Sequence, residues 1–478
     1  MIIKLFLRNM KNKVLAFLLP LAIASTASAL QRNYFRGGDN FGVNSDVATV
    51  FDSEYYDNIV NNNPIWDLTF EQWYNGPHAL GGLWGGRNSL DDMGIVPVFS
   101  YIGNFAANPD GGRSRGASLT SSVNLGLGVD LQKITSLKEL EGWSIGNTWV
   151  WRFGDSLTKD RIGNTFNVQQ NYGSQTIRLH SLFLQYIKTF DEDWQLRLKF
   201  GRFAAGDNFL TKPIYWLYQN NAFDGNPVGI FNQTKWSAYP GSTWAAAAQI
   251  KYKDGQYFRA GVFQINTDRQ DSVGMHGLDW SFHGEGVNAN FEGGWDINHD
   301  DSGRSPGNIS VGIAADWYNA QHNDNPSAYS PFNCTVYIQA DYMVYNMGFV
   351  KQDEPYYIPR KGEKYRDLRG IILWGVFQYD PYENLAYMPY FANGGILFNA
   401  PFKSRADDVL CFGAAYGKYS ADLRDKERGS YEIALELNYK LQINRFSFLQ
   451  PNIQYIINTK GGEYPNALVL GMQFGLNL

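Results

Sequence analysis

The chain has 478 residues, with 41 Lys and Arg against 46 Asp and Glu, and its small formal charge of -5 argues against nucleic acid as a partner. Aromatic residues make up 16% of it, Gly occurs 49 times and mean hydropathy is -0.35, a balance compatible with a β-rich chain that has a polar interior and aromatic belts. Two cysteines, Cys334 and Cys411, are too few for a disulfide framework; each falls in a separate expected strand and reads as an unpaired thiol, with a bridge as the lesser alternative.

The chain opens with Lys4, Arg8, Lys11 and Lys13, an apolar run from Val14 to Ile23, and Ala27-Ser28-Ala29. A basic region, a short apolar region and a small-x-small site make a secretory signal peptide, cut after Ala29. The run is too short to remain as an anchor, and no later apolar stretch approaches the roughly 18 to 20 residues of a spanning helix. The expectation is an exported chain without helical spans. From Leu30 to about Asn63 the sequence is polar, without a convincing period, and reads as a periplasmic or lumen-entering arm that continues to about residue 82. No linker follows, so 83–478 reads as one unit. Within GGLWGGRNSLDDMG, from Gly81 to Gly94, Asn88 or Ser89 is expected to cap a short helix with Asp91 and Asp92 in its first turn and Gly94 at its end.

Strands follow. They are expected at Ile95 to Ala106, then, after the turn-like NPDGG of Asn108 to Gly112, at Ala117 to Leu131, Trp143 to Phe153, Ile177 to Phe190 and Trp194 to Phe203. Trp244 to Lys253 and Gln256 to Ile265 flank Asp254-Gly255, a hairpin signal. Further strands are expected at Gly286 to Ile297, Asn308 to Tyr318, Asn333 to Tyr345, after Met347, and at Gly370 to Tyr379 and Asp407 to Ser420. Tyr431, Ile433, Leu435, Leu437, Tyr439 and Leu441 alternate with Glu432, Ala434, Glu436, Asn438 and Lys440; Arg445 to Asn458 returns. The last stretch, NALVLGMQFGLNL, is apolar at every second position from Leu468 to Leu478, and only Val469 breaks the pattern. A strand apolar along one whole face at a chain terminus is a liability in water, but closes a barrel in lipid. About sixteen strands of roughly 10 to 14 residues are too long for a soluble sandwich and suit tilted spanning strands. The expected fold is therefore all-β: an outer-membrane antiparallel β-barrel of about sixteen strands, with a short helical segment and long loops, among them the excursion from Ala204 to Ser242.

Read together, LWGGRNSLDDMGI, Gly111-Gly112, FDGNPVGIFNQ, YPGSTWAAA, ELNYKLQINRFSFLQPNIQYIINTKGG and NALVLGMQFGL resemble the carbohydrate-selective porin family, of OprB type, over nearly all of Gly81 to Leu478. The resemblance implies a sixteen-stranded outer-membrane barrel that passes sugars such as glucose by diffusion. The chain departs from the pattern in its longer arm before Leu80 and in ending on Leu478 rather than an aromatic residue.

Sugars are neutral, so a pore selects them with planar donors, carboxylates and aromatic faces. Arg87 beside Trp84 is the first candidate, followed by Arg152 beside Trp149 and Trp151, and by Arg178 near His180. Each of these arginines also reads as a wall or turn residue. Arg197, Lys199, Glu432, Glu436 and Lys440 face inward by parity, most simply as a solvated charge ladder. Asp296, Asn298, Asp300 and Ser302 resemble the opening of a calcium loop, but Asp301 stands where its glycine belongs and Gly307 where its Glu belongs, so a plain acidic loop is the simpler reading. No metal site, cofactor or catalytic constellation is expected. Expected partners are carbohydrate, outer-membrane lipid and, through the terminal strand, the barrel assembly machinery; whether the barrel acts alone or as a homo-oligomer stays open. The alternatives are a general or anion-preferring diffusion porin and, further off, a secreted or membrane-embedded glycan-acting enzyme.

Overall fold

A computed structural model describes residues 65–477 apart from 77, 192, 253–254, 267–273, 283, 299–302, 351–367 and 424–429. The expected signal peptide, most of the arm, the residues Lys253 and Asp254 of the hairpin turn, Asp300, Ser302 and Leu478 lie outside the described residues.

Sixteen strands, each hydrogen-bonded antiparallel to its neighbours in chain order, close on themselves when β1 (Ile95–Asp110) pairs with β16 (Ala467–Asn477). Between them run β2 (Gly116–Asp130), β3 (Trp143–Gly154), β4 (Ile177–Thr189), β5 (Trp194–Phe203), β6 (Thr243–Tyr252), β7 (Gln256–Ile265) and β8 (Gly286–Ile297). The circuit continues with β9 (Gly307–Gln321), β10 (Tyr329–Phe349), β11 (Leu368–Tyr379), β12 (Tyr390–Asn399), β13 (Val409–Lys418), β14 (Tyr431–Asn444) and β15 (Ser447–Ile457). Closure removes every free sheet edge, the condition for a β structure to cross lipid. No described helix is long and apolar enough to cross a membrane.

Parity decides the two faces. In β16 Leu468, Leu470, Met472, Phe474 and Leu476 point outward, while Gln473 and Asn477 point inward and are buried, as does Val469. In β14 Glu432, Glu436, Asn438 and Lys440 are buried inward and Leu437 is exposed outward. The outer wall carries aromatic residues at two levels: Trp143 against Tyr186 and Trp194 against Tyr252 near the base, where both chain ends of the barrel lie; and Trp151 against Phe153, Tyr379 against Tyr390 and Tyr416 against Tyr431 near the opposite rim. These are the two girdles of a membrane barrel, with the apolar band between them. The β14–β15 turn at the base is only Arg445 and Phe446, whereas Ala204 to Ser242 leaves from the rim, so the rim is the side of the long loops.

Three local expectations need correction. The strand expected after Met347 is not a separate element: β10 itself runs to Phe349, and 351–367 lie outside the described residues. The sixteenth strand is β12, whose Asn393-Gly394-Gly395 mimics a turn in the sequence while pairing regularly with β11 and β13. The short helix spans Gly86–Asp92 rather than starting at Asn88 or Ser89. Leu83, Trp84 and Gly85 all adopt positive φ, which turns the chain early, so Gly85 is the N-cap without a side-chain cap and Asp91 and Asp92 fall in the last turn. Gly94, at φ 80, does end that region. Cys334 and Cys411 are free, the first on the outer face of β10 and the second buried on the inner face of β13.

Candidate solute filter

The segment from Ala204 to Ser242 does not project away from the rim. It folds into the barrel as short turns, among them Pro213–Leu217 and Val228–Asn232, and is buried almost throughout. Its apolar side chains Phe209, Ile214, Tyr215, Leu217, Tyr218 and Phe223 pack with wall residues Phe263, Trp374 and Phe391, so part of the lumen is a closed hydrophobic core. Burial of this kind supplies the non-directional force that holds the segment inside. Position comes from polar groups of the wall. Glu436 accepts from the peptide N–H groups of Gln219 (2.9 Å) and Asn220 (2.8 Å), and Asp316 from that of Lys235 (2.6 Å). Glu292 accepts from Leu210 N–H (3.0 Å) and pairs with Arg259 (3.2 Å), while the Lys212 ammonium donates to Asp341. Glu432 does the same for a second inward loop, accepting from Thr165 N–H (2.9 Å) and Phe166 N–H (3.0 Å). A hydrogen bond of this kind contributes about 1 kcal/mol net, and leaving its buried partner unsatisfied costs more. The buried wall carboxylates therefore act as fasteners for loop backbone.

Between the segment and the walls of β3 and β4 lies a cavity of about 460 Å³. Arg152 and Arg178 enter from the barrel wall; Trp216, Asn221, Asp224 and Tyr239 enter from the segment. The Arg152 guanidinium lies over the Tyr239 ring at 4.9 Å and donates through Nη1 to Gly173 O at 3.4 Å. Arg178 Nε donates to Met275 O at 2.7 Å. Gly225, at φ 69, abuts the Trp216 ring: an added Cβ would sit 3.0 Å from it, in a left-handed backbone conformation that favours glycine. Four buried atoms of the lining have no hydrogen-bond partner among the described residues: the donors Arg152 Nε and Trp216 Nε1, and the acceptors Asn221 Oδ1 and Asp224 Oδ1. Burial pushes the Asp224 carboxyl well above the usual carboxylate range, against the pull of the Arg152 guanidinium. Nearby, burial works to raise the Asp207 carboxyl, but His180, 3.3 Å away, and Lys199 outweigh it and hold it below the ordinary value.

Arginine, amide, carboxyl and indole groups thus line one cavity of the described lumen, a set of groups able to meet the hydroxyls and the apolar face of a neutral solute. Residues 114–478 match the model of the carbohydrate-selective porin, OprB family. The chain belongs to that family. Porin B of Pseudomonas aeruginosa is 27% identical over 438 residues, covering 82% of this chain and 89% of that protein. A high-pH structure of Pseudomonas putida OprB superposes with a TM-score of 0.72 at 22% identity, covering 84% of this chain and 98% of that one, and a low-pH structure of the same protein gives 0.51 at 19%. The protein is thus an outer-membrane porin of the carbohydrate-selective class.

In this porin the arginines suggested by the sequence separate into different places. Arg152 and Arg178 meet in the cavity because β3 and β4 are adjacent strands. Arg87 is buried at the base, where its Nε donates to Gly81 O at 3.1 Å. Trp84 is exposed and packs edge-on against Trp66 at 5.3 Å, so it does not share a site with Arg87 as the sequence suggested. Arg197 donates to Gln195 at 2.8 Å on the half-buried inner face of β5. Glu436 does not line open space: it is fully buried beneath Gln219 and Asn220, whose amides occupy its oxygens. Sequence reasoning missed Trp216, Asn221, Asp224 and Tyr239. For the first three a signal was available in the density of aromatic and amide residues in KPIYWLYQNNAFDG, a composition foreign to a solvated loop. Asp296 bonds Asn308 (2.8 Å) and faces Lys251, Asn298 bonds Ser305 O (2.9 Å), and no cluster of metal-ligating groups occurs among the described residues.

Proposed function

We propose that this porin passes small neutral carbohydrates, monosaccharides such as glucose foremost, by passive diffusion without a catalytic step, and that the cavity between Arg152 and Asp224 is its selective passage. The observation that carries the reading is the presence, in one enclosure, of unpartnered donors and acceptors beside an indole ring. Vicinal hydroxyls satisfy a guanidinium and a carboxyl or amide together, and the apolar face of a sugar ring lies against an aromatic plane. Contacts must stay weak, since tight binding slows exit. We further take 1–29 as the removed export signal, 30–82 as an arm and 83–478 as the pore, with β16 read by the barrel assembly machinery.

The test is single-channel conductance with glucose as blocker, joined to liposome swelling with glucose, sucrose and amino acids. Glucose should block ion current and outpace amino acids of similar size. Arg152→Ala should weaken the block by less than about 2 kcal/mol, the range of a hydrogen bond to a charged group, and shift ion preference away from anions. Unchanged block together with unchanged ion preference would remove Arg152 from the passage.

A further inference from the structure

A described stretch of the connection between β7 and β8, Met275 to Phe282, lies along the outside of the barrel. From Met275 to Ser281 it crosses the rim ends of β4, β5, β6 and β7 in turn, and each strand fastens it. At β4, Arg178 Nε donates to Met275 O (2.7 Å) and His276 Nδ1 donates to Ile177 O (2.6 Å). Gly277 sits so close to Leu179 O that an added Cβ would fall 2.3 Å from it, and Leu179, outward by parity, is 3% exposed beneath the loop. At β5, Arg202 donates to Asp279 O and lies over the Trp280 ring. At β6, Trp244 Nε1 donates to Trp280 O (3.1 Å), and at β7 Gln264 Nε2 donates to Ser281 O (3.2 Å). The loop's own turn is tied by Asp279, which accepts from Ser281 N–H (2.9 Å) and Asn266 Nδ2 (2.8 Å).

So well fastened a loop would be expected to show water its polar side. Instead Met275, Leu278, Trp280 and Phe282 are exposed, Phe282 to 73%. Phe282 stacks on Trp244 (4.7 Å between centroids, 18° between planes), and Trp244 leans on outward Phe200 at 6.2 Å. Trp244 and Phe200 stand at the level of the rim girdle, so the loop's aromatic residues extend an interface whose other side is lipid.

We propose that Met275 to Phe282 is a membrane-interface anchor, seated in the headgroup and acyl boundary of the outer leaflet, and that through the Met275 carbonyl it positions Arg178 in the solute cavity. Amphipathic aromatic residues favour that boundary, and an apolar run held rigidly on the outer wall inserts without the entropy cost of ordering a free loop. A second copy of the chain on the same surface is the competing occupant.

The anchor is tested in liposomes with the full chain carrying Cys334→Ala, Cys411 being enclosed, and a nitroxide on Phe282→Cys. Collision with oxygen should exceed collision with a water-soluble nickel chelate. Predominant chelate collision overturns the proposal in favour of an aqueous loop, and low collision with both, together with spin–spin broadening between labels, overturns it in favour of a second copy. A label on Leu278→Cys should give the same result, and serves alone if the first variant does not fold. The link to the pore is read separately in Trp280→Ser with Phe282→Ser, which leaves every cavity residue in place: its glucose block should weaken in bilayers relative to wild type, and an unchanged block would sink the positioning role while leaving the spin-label result standing.

Discussion

Lys212→Met tests whether the inward segment is held by charge. The Lys212 side chain is 1% exposed and that of Asp341 0%, and the ammonium donates directly to the carboxylate. The other carboxylate oxygen, Oδ1, has no hydrogen-bond partner among the described residues. Removing the ammonium therefore leaves Asp341 buried with neither counter-charge nor donor, a situation that costs about 3 to 5 kcal/mol. At 1.4 kcal/mol per decade this is roughly a hundredfold to a few thousandfold in the equilibrium between docked and undocked segment near Thr211 to Tyr215. Flanking anchors at Leu210 and Gln219 limit the undocking to that stretch. Single-channel recording should show excess current noise and a larger mean conductance, and the barrel should lose its folded mobility at lower temperature on unheated gels. Lys212→Met with Asp341→Leu removes both charges, and should restore quiet current and most of the thermal resistance, because an apolar pair of similar volume avoids the desolvation cost. If the single variant is as quiet and as heat-resistant as wild type, charge pairing does not hold the segment.

Met472→Arg, at the centre of β16 and facing outward, should destabilise the barrel by about 2 to 4 kcal/mol in urea titrations in vesicles, the cost of a cation at the bilayer midplane, while Gln473→Arg, facing inward, should cost less. His78, at the base, is held well below its ordinary value of 6.5 by burial and by Arg87, so the unfolded chain binds the extra proton first as pH falls. Stability contributed by the base segment should be present above pH 6.5 and decline below it, and His78→Gln should flatten that slope in acid melts. Since burial raises the Asp224 carboxyl, raising pH through its titration adds a negative charge beside Arg152; the reversal potential in a salt gradient should move toward cations, and Asp224→Asn should not show the shift.

Much of the barrel is legible because membrane strands impose a strict period of two: β14 and β16 face as their alternation says, down to Val469 pointing inward. Legibility fails where local chemistry imitates something else. Asn393-Gly394-Gly395 carries the signature of a turn, yet its backbone is satisfied by neighbours on both sides, a fact no single strand reveals. For the site, Arg152 and Arg178 could be found from their strands, but the path of Ala204 to Ser242 through the lumen follows from tertiary packing, so Asp224 and Trp216 carry no periodic mark. Glu436 shows a related ambiguity: an inward carboxylate reads the same in sequence whether it faces a solute or a pair of peptide amides.

The fastening of the inward segment also orders assembly in time. Glu292, Asp316, Asp341, Trp374, Asn393, Glu436 and Gln450 all lie downstream in the chain of the residues they hold, and Gln450 sits on the next-to-last strand. A nascent wall that ends anywhere before β15 lacks some of these attachments. The inward segment is therefore fully fastened only once β15 is in place, one strand before the barrel can close, and a wall inserted earlier would carry a partly loose lumen.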